Sequence, residues 1–418
     1  MEKVRSKVNG WLLAPLLIGL VIRLALLAEY GLGLSLNSDD VGYIRSAIHL
    51  LEHGELTYFD PTELTVHIMP GIAVLIAGVF LFFGTGDLGL YAVKIVMILF
   101  GLLSIAGIYK LGERLLSRMA GGIGALITAL YLPLVITDNL VLTEAPFTAA
   151  LIWFIYFAVR LADSHRNADF YWVIGLYLFM IMFRPTIALA PFLLLIYFLL
   201  KKYPLKTALK QFGIAVILLL VVLGPWWIRN YIVYDEFIPL SGGAGNPMLL
   251  GTYQGHGYKY GEPLDVVLER IRSEHPDASR YELNQYQLEA AKERMAVMWA
   301  HNKAWFIDTY TRQKFMEQWK TPFYWHEVFG VSREMMKAIY LVLLAAGAFS
   351  LLALFFAVRA RWRELLFISL FFVYFTVLNN IYFAYNRYNQ PLLPLLFLAI
   401  GGFVYYVLYG RKTRVQRE

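Results

Sequence analysis

The sequence predicts an all-α polytopic membrane protein, and three observations carry that reading. It is 59% hydrophobic and only 16% charged, with a mean hydropathy of +0.56. Apolar runs long enough to span a bilayer as helices recur from end to end, without the short alternating segments of a barrel. Basic residues cluster in short connections and tails beside those runs, the pattern that orients membrane helices.

The first run, 11–30, follows a basic tail in "MEKVRSKVNGWLLAPLLIGLVIRLALLAEY". It has no small-residue cleavage site, so it reads as a retained helix rather than a signal peptide. Further spans are expected at 89–110, 120–137, 145–162, 169–183, 186–200, 211–228, 336–358, 364–383 and 390–409. The stretch "PGIAVLIAGVFLFFG" (70–84) is apolar but falls short of the roughly 20 residues a span takes. Parity agrees. If 70–84 does not cross, all six basic clusters share the cytoplasmic side: Lys3, Arg5, Lys7; Lys110, Arg114, Arg118; Arg160, Arg166; Lys201, Lys202, Lys206, Lys210; Arg359, Arg361, Arg363; and Arg411, Lys412, Arg414, Arg417.

About ten transmembrane helices are therefore expected, with both termini cytoplasmic and 70–84 re-entrant or juxtamembrane in the first external loop. The organisation divides into an N-terminal membrane module, 1–228, with its external loop 31–88, then an external cap, 229–335, and C-terminal membrane helices, 336–418. The cap opens with an irregular stretch rich in Gly, Pro and Tyr and continues as one or two amphipathic helices. The net charge of +7 is thus topological and does not point to nucleic acid. The absence of cysteine excludes disulfides and thiolate chemistry, and no Walker-type, GxSxG or HExxH motif occurs.

Candidate chemistry lies on the external side. Asp39 and Asp40 open "DDVGYIRSAIHLLEHG", where one acid would suffice to cap a helix. Two carboxylates at a membrane-facing cavity can also ligate a divalent metal, or divide into a base and its electrostatic tuner. Glu144, in "VLTEAPF", is an ionisable group at a membrane edge. Arg184, Arg229 and Arg387, with Lys94 about one turn inside its span, would suit phosphate oxygens if they converge. Singly, each would snorkel to headgroups or pair with an acid. His67 and His256 are isolated polar loop residues unless an acid joins them at a metal.

The order of these motifs resembles the GT-C class of membrane glycosyltransferases. More narrowly it resembles the family 39 or protein-mannosyltransferase-like group, which includes lipid A aminoarabinose transferases and bacterial galacturonosyltransferases. The resemblance rests on "DDVGYIRSAIHLLEHG", with Asp40 where Glu is commoner, and on "MPGIAVLIAGVFLFFG" as the juxtamembrane helix. It extends through "VLTEAPF", "FRPTIALAP" with Arg184 in place of a commoner Lys, "GPWWIRNYIVYDEF" and "NRYNQPLLP". It implies a GT-C bundle that transfers one sugar from a polyprenyl-phosphate donor to an acceptor on the outer face, with inversion.

In that reading Asp39 is the general base, and Asp40 and Glu144 orient substrate or hold a divalent metal, if any. Arg184 and Arg387, with Arg229 or Lys94, bind the donor phosphate, and Tyr43, His67, Tyr388 and His256 line the site. The acceptor is a glycolipid, a cell-wall polymer or a protein, and the setting a bacterial or archaeal plasma membrane. Rival readings are a glycan ligase or polymerase using pyrophosphate-linked oligosaccharides, and a lipid or glycan flippase. The flippase would show two similar halves, and none are evident.

Overall fold

The computed structural model describes residues 9–415, with side chains through Gly410. The tail residues Lys3, Arg5, Lys7 and Arg417, and the side chains of Arg411, Lys412 and Arg414, lie outside these bounds. Helices α1 (Gly10–Tyr30), α2 (Asp39–His53), α3 (Gly71–Phe83), α4 (Asp87–Leu115), α5 (Arg118–Leu130), α6 (Leu132–Thr137), α7 (Glu144–Ser164), α8 (Asn167–Phe183), α9 (Ala190–Leu200) and α10 (Leu205–Tyr234) form the first part. Then come α11 (Gly245–Thr252), α12 (Leu264–Glu274), α13 (Arg280–His301), α14 (Lys303–Asp308) and α15 (Lys314–Trp319). The last are α16 (Arg333–Ala357), α17 (Trp362–Ile381) and α18 (Leu393–Val415). Among the described residues no strand occurs, only the isolated bridges Thr57–Leu64 and Val328–Val331.

Among the described residues seven helices are long and apolar enough to cross a membrane: α1, α4, α7, α10, α16, α17 and α18, the last two each with a preceding short turn. The other three expected spans are shorter. The run 120–137 is broken into α5 and α6 around Pro133, which lacks an N–H and cannot continue a ladder from α5. The run 186–200 holds only a short turn at Pro185–Ile187 and the 11-residue α9. The cap region is more helical than its composition suggests. Gly245–Thr252 forms α11 because Leu249 packs with Val267, Ile271 and Ala291 of α12 and α13.

Close helix approach rests on small residues. A Cβ on Gly121 would strike the Tyr109 carbonyl, and one on Gly401 would strike that of Ala120, so α5 nests between α4 and α18. The central helix is α7, with most of its residues buried.

The bundle has two chemically distinct ends. At one, Asp163 pairs with Arg114 (2.7 Å) and Lys201 (2.7 Å), Lys201 reaches Glu364 (2.9 Å), and Arg160 meets Asp169 (2.9 Å). These pairs gather four of the basic connections together. At the other end lie the starts of α2, α4 and α7, the end of α8 and the turn before α18. The 13-residue α3, about 20 Å long, packs only at this second end, against Val93 and Met97 of α4 and Phe183 of α8.

One buried ion pair joins α1 to the segment after α6. Arg23, 1% exposed, meets Asp138 Oδ2 at 2.7–2.8 Å and also donates to the Gly19 and Ala129 carbonyls. Removing one partner leaves the other charge uncompensated in an apolar bundle. Asp138→Ala is expected to destabilise the protein by about 3–5 kcal/mol. Arg23→Met with Asp138→Leu should recover most of that loss, and thermal denaturation in detergent micelles checks both.

Candidate active site

The site begins in the connection "SLNSDD" (35–40). Asn37 takes a left-handed conformation (φ 53), which turns the chain so that Asp40 points inward. Asp40 accepts from Ser35 Oγ (2.6 Å), Leu36 N (2.8 Å), Ser38 N (3.1 Å) and its neighbour Val41 N (3.0 Å). Lys94 clasps the same connection by donating to the Gly31 and Leu34 carbonyls, each at 2.8 Å. Asp40 and Lys94 are both buried and committed to the shape of this loop. The structure therefore brings neither into the charged cluster where the sequence put them. Their polar atoms are occupied by backbone.

Asp39 faces the other way and starts a chain of alternating charges. Its Oδ2 accepts from Arg387 Nη2 at 2.6 Å, across 348 positions of sequence. Arg387 Nε lies 3.0 Å from Glu144 Oε1, and the same oxygen accepts from Arg184 Nη2 at 2.8 Å. The contact of the buried Arg387 Nε with Glu144 is an ion pair without hydrogen-bond alignment. Glu144 is 1% exposed, Arg387 12%, Arg184 15% and Asp39 32%, so the chain runs from a desolvated interior to an accessible carboxylate. Both acids sit in the first turns of α2 and α7, where helix dipoles favour negative charge. Arg184 lies 5.7 Å from the ring centres of Phe147 and Tyr388, and Tyr43 packs beside Tyr58 at 5.7 Å.

Asp39 opens onto a cavity of about 440 Å³. Its walls come from α2, the 58–67 loop, the end of α10 at Tyr234, Gly242, Asn246 of α11, α12 and α13. Tyr58 Oη lies 3.4 Å from Asp39 Oδ1 and its ring stacks on His67 at 5.5 Å. Gly42 makes room for Tyr58, since a Cβ there would sit 2.6 Å from the ring. Burial and the neighbouring Asp39 charge push the Tyr58 and Tyr43 phenols up, so both stay protonated donors. Desolvation draws the His67 imidazole down, against the opposing pull of Asp39.

Two other residues stand apart from this cluster. Arg229 lies over the Trp226 and Tyr234 rings and donates to Asn230 and to the Leu56 carbonyl. His256 pairs with Asp308 at 3.0 Å and stacks on Trp305, away from the cavity lining. Conversely, the cavity uses Tyr58, Arg45, Arg272, Arg280, Asn284 and Gln287, which the motif reading did not select. Ser38, Asp39, Gly42 and Arg45 share one helical face, so Arg45 was recoverable from spacing.

These residues do not fit a divalent metal. Among the described residues no group of three His, Cys, Asp or Glu side chains converges. The set Asp39, Asp40 and Glu144 is split, with Asp40 saturated and Arg387 lying between the other two.

Residues 67–228 match the sequence model of the family described as dolichyl-phosphate-mannose-protein mannosyltransferase. No curated protein matches the sequence. In fold the chain is similar to the archaeal oligosaccharyltransferase AglB from Archaeoglobus fulgidus in complex with an inhibitory peptide and a dolichol-phosphate. The TM-score is 0.56 at 13% identity, over 97% of this chain and 52% of that one. The apo form of the A. fulgidus oligosaccharyltransferase also gives 0.56 at 13%, over 100% and 53%. ArnT from Cupriavidus metallidurans bound to undecaprenyl phosphate gives 0.45 at 13%, over 95% and 60%, too loose to carry an argument. The chain spans about half the length of the oligosaccharyltransferase chains it matches. The chain thus shares the all-helical membrane fold of these oligosaccharyltransferase chains.

The lowered His67 pKa has a sign. The unfolded chain binds this proton more readily, so stability falls as pH drops through about 6.5 toward the folded value. Thermal midpoints of wild type and His67→Gln, measured from pH 8 to pH 5, should diverge in that window. The wild type is expected to lose the more.

Proposed function

We propose that the chain transfers one sugar from a polyprenyl-phosphate donor to an acceptor hydroxyl, with inversion at the anomeric carbon. The observation that carries this reading is the Asp39–Arg387–Glu144–Arg184 chain with Asp39 open to the cavity. The matched mannosyltransferase segment and the dolichol-phosphate of the AglB complex agree with a lipid-phosphate donor.

An acceptor hydroxyl is a poor nucleophile and needs a base within hydrogen-bond reach. Asp39 lines the cavity, and among the described residues its Oδ1 has only the long contact from Tyr58. It takes the hydroxyl proton as the oxygen attacks the anomeric carbon. The bond from that carbon to the phosphate oxygen breaks on the opposite face, and polyprenyl phosphate leaves with the electron pair.

Arg184 and Arg387 stabilise the growing phosphate charge. Glu144 holds both guanidinium groups in place. Arg387 also touches Asp39. As Asp39 takes the proton and loses its charge, Arg387 is left free for the phosphate.

The reading places the site on the extracytoplasmic face of a plasma membrane, with the stapled basic end and both termini in the cytoplasm. The acceptor is then a glycolipid, a cell-wall polymer or a protein, reached from outside the membrane.

The test is transfer in lipid nanodiscs from a panel of radiolabelled polyprenyl-phosphate sugars, with nucleotide sugars as controls. One lipid donor is expected to release its sugar, and Asp39→Asn should lower that rate by about 10² to 10⁴. Undiminished turnover by Asp39→Asn would remove the base assignment. Arg184→Ala is expected to lower kcat/KM for the donor by about 10². An unchanged donor dependence there would take Arg184 out of phosphate binding.

A further inference from the structure

Three arginines line the cavity beside Asp39: Arg45 from α2, Arg272 from α12 and Arg280 from α13. All three are exposed, and among the described residues none of their guanidinium groups lies in an ion pair. Arg280 lies 5.3 Å from the centre of the Phe59 ring, and only its backbone N–H is bonded, to Glu63. Asp60 feels Arg45 and Arg280 at longer range but spends its carboxylate on the Thr62 N–H (2.8 Å) and hydroxyl (2.6 Å). The one acid in the lining, Asp39, is already paired with Arg387. The cavity thus concentrates positive charge that the protein itself does not neutralise.

The rest of the lining suits a hydroxylated ligand. Ser38, Asn246, Asn284 and Gln287 contribute neutral polar groups, and the Gln287 side-chain oxygen is buried with no hydrogen-bond partner. Tyr58, Phe59 and His67 supply ring faces. Arg184, Glu144 and Arg387 do not line this space. It therefore lies across Asp39 from the groups assigned to the donor phosphate.

Resting on the transferase reading above, we propose that the acceptor carries an anionic group, a phosphate or carboxylate. Arg45, Arg272 and Arg280 hold that group in the cavity while the acceptor hydroxyl meets Asp39. Three unpaired guanidinium forks offer bidentate, permanently charged donors to such an anion. They also draw it in electrostatically, so affinity should fall with salt. A neutral glycan would leave the three cations facing one another with nothing gained.

Two measurements test this, and the first does not depend on turnover. Binding of glucose 1-phosphate and of methyl glucoside to the full chain in neutral phosphatidylcholine nanodiscs would be followed by saturation-transfer NMR. The phosphate is expected to bind at least tenfold more tightly. That preference should fall below threefold in the Arg45→Gln, Arg272→Gln, Arg280→Gln triple variant, and also weaken in Arg272→Gln alone. It should survive Arg184→Ala, which removes a donor-side cation.

Equal binding of both sugars, a preference intact in the triple variant, or a preference lost in Arg184→Ala would overturn the proposal. So would arginine-dependent binding confined to phosphatidylglycerol vesicles, since the three cations would then serve membrane headgroups. The second measurement compares a phosphate-bearing glycolipid with its dephosphorylated form as acceptors for one donor. The charged form is expected to be favoured more than tenfold in kcat/KM, and Arg272→Gln should narrow the ratio. A ratio that tracks the charge of the donor sugar instead would overturn the proposal. Glycosylation of neither acceptor would count against the transferase reading, while the binding comparison still decides the anionic subsite.

Discussion

The structure at its working end depends on Arg387 standing between two carboxylates. Glu144 is all but fully buried, and such a charge is tolerable only when paired at close range. Arg184 answers it from one side and Arg387 from the other, while Arg387 also reaches Asp39. The four charges alternate in sign along the chain and sum to zero, so the cluster carries no net charge. The arrangement also ties together α2, α7, the end of α8 and the turn before α18. Parts of the chain read in succession become one site only when that late turn docks, because Arg387 is the link across 348 positions.

The opposite end uses charge differently. Asp163 and Lys201 bind the basic connections to each other on partly exposed surface, where such pairs stabilise little individually. Their value is positional: they hold the helix ends that face away from the site. One end therefore has its cations answered by acids, and the other keeps Arg45, Arg272 and Arg280 free around a cavity. That asymmetry follows the same helices from one terminus to the other. Glu144 opens α7 and Asp163 nearly closes it.

Much of this was legible in the sequence. Glu144, Arg184 and Arg387 each fall at the end of an apolar run, and a bundle with its basic connections on one side must bring those ends together. What could not be read was which of two adjacent acids would face the cavity. Neighbouring helical residues point about 100° apart, and the left-handed Asn37 decides which one turns inward. Lys94 misled for a related reason: a long flexible side chain reaches backbone carbonyls as readily as a ligand. Arg272 and Arg280 were hidden because the amphipathic pattern of α12 and α13 shows an apolar face without saying what the polar face will meet. The break at Pro133 was available from residue type but was overridden by the unbroken hydropathy around it.

In the transfer reaction proposed above, charge flow decides which group takes the acceptor proton. Within the cavity Asp39, His67 and Tyr58 are the candidates. Tyr58 is held protonated by its surroundings and can only donate. A proton delivered to His67 would leave Asp39 charged and still paired with Arg387. The cation needed at the leaving phosphate would then remain engaged elsewhere. A proton delivered to Asp39 weakens that pairing at the moment negative charge grows on the phosphate. Arg387 is always charged, so it cannot itself carry the proton. It can only redistribute its interaction from one anion to the other. In the proposed reaction, proton removal on one side of the sugar and charge stabilisation on the other would share a single guanidinium, a role that arginine, and not a titratable group, can fill.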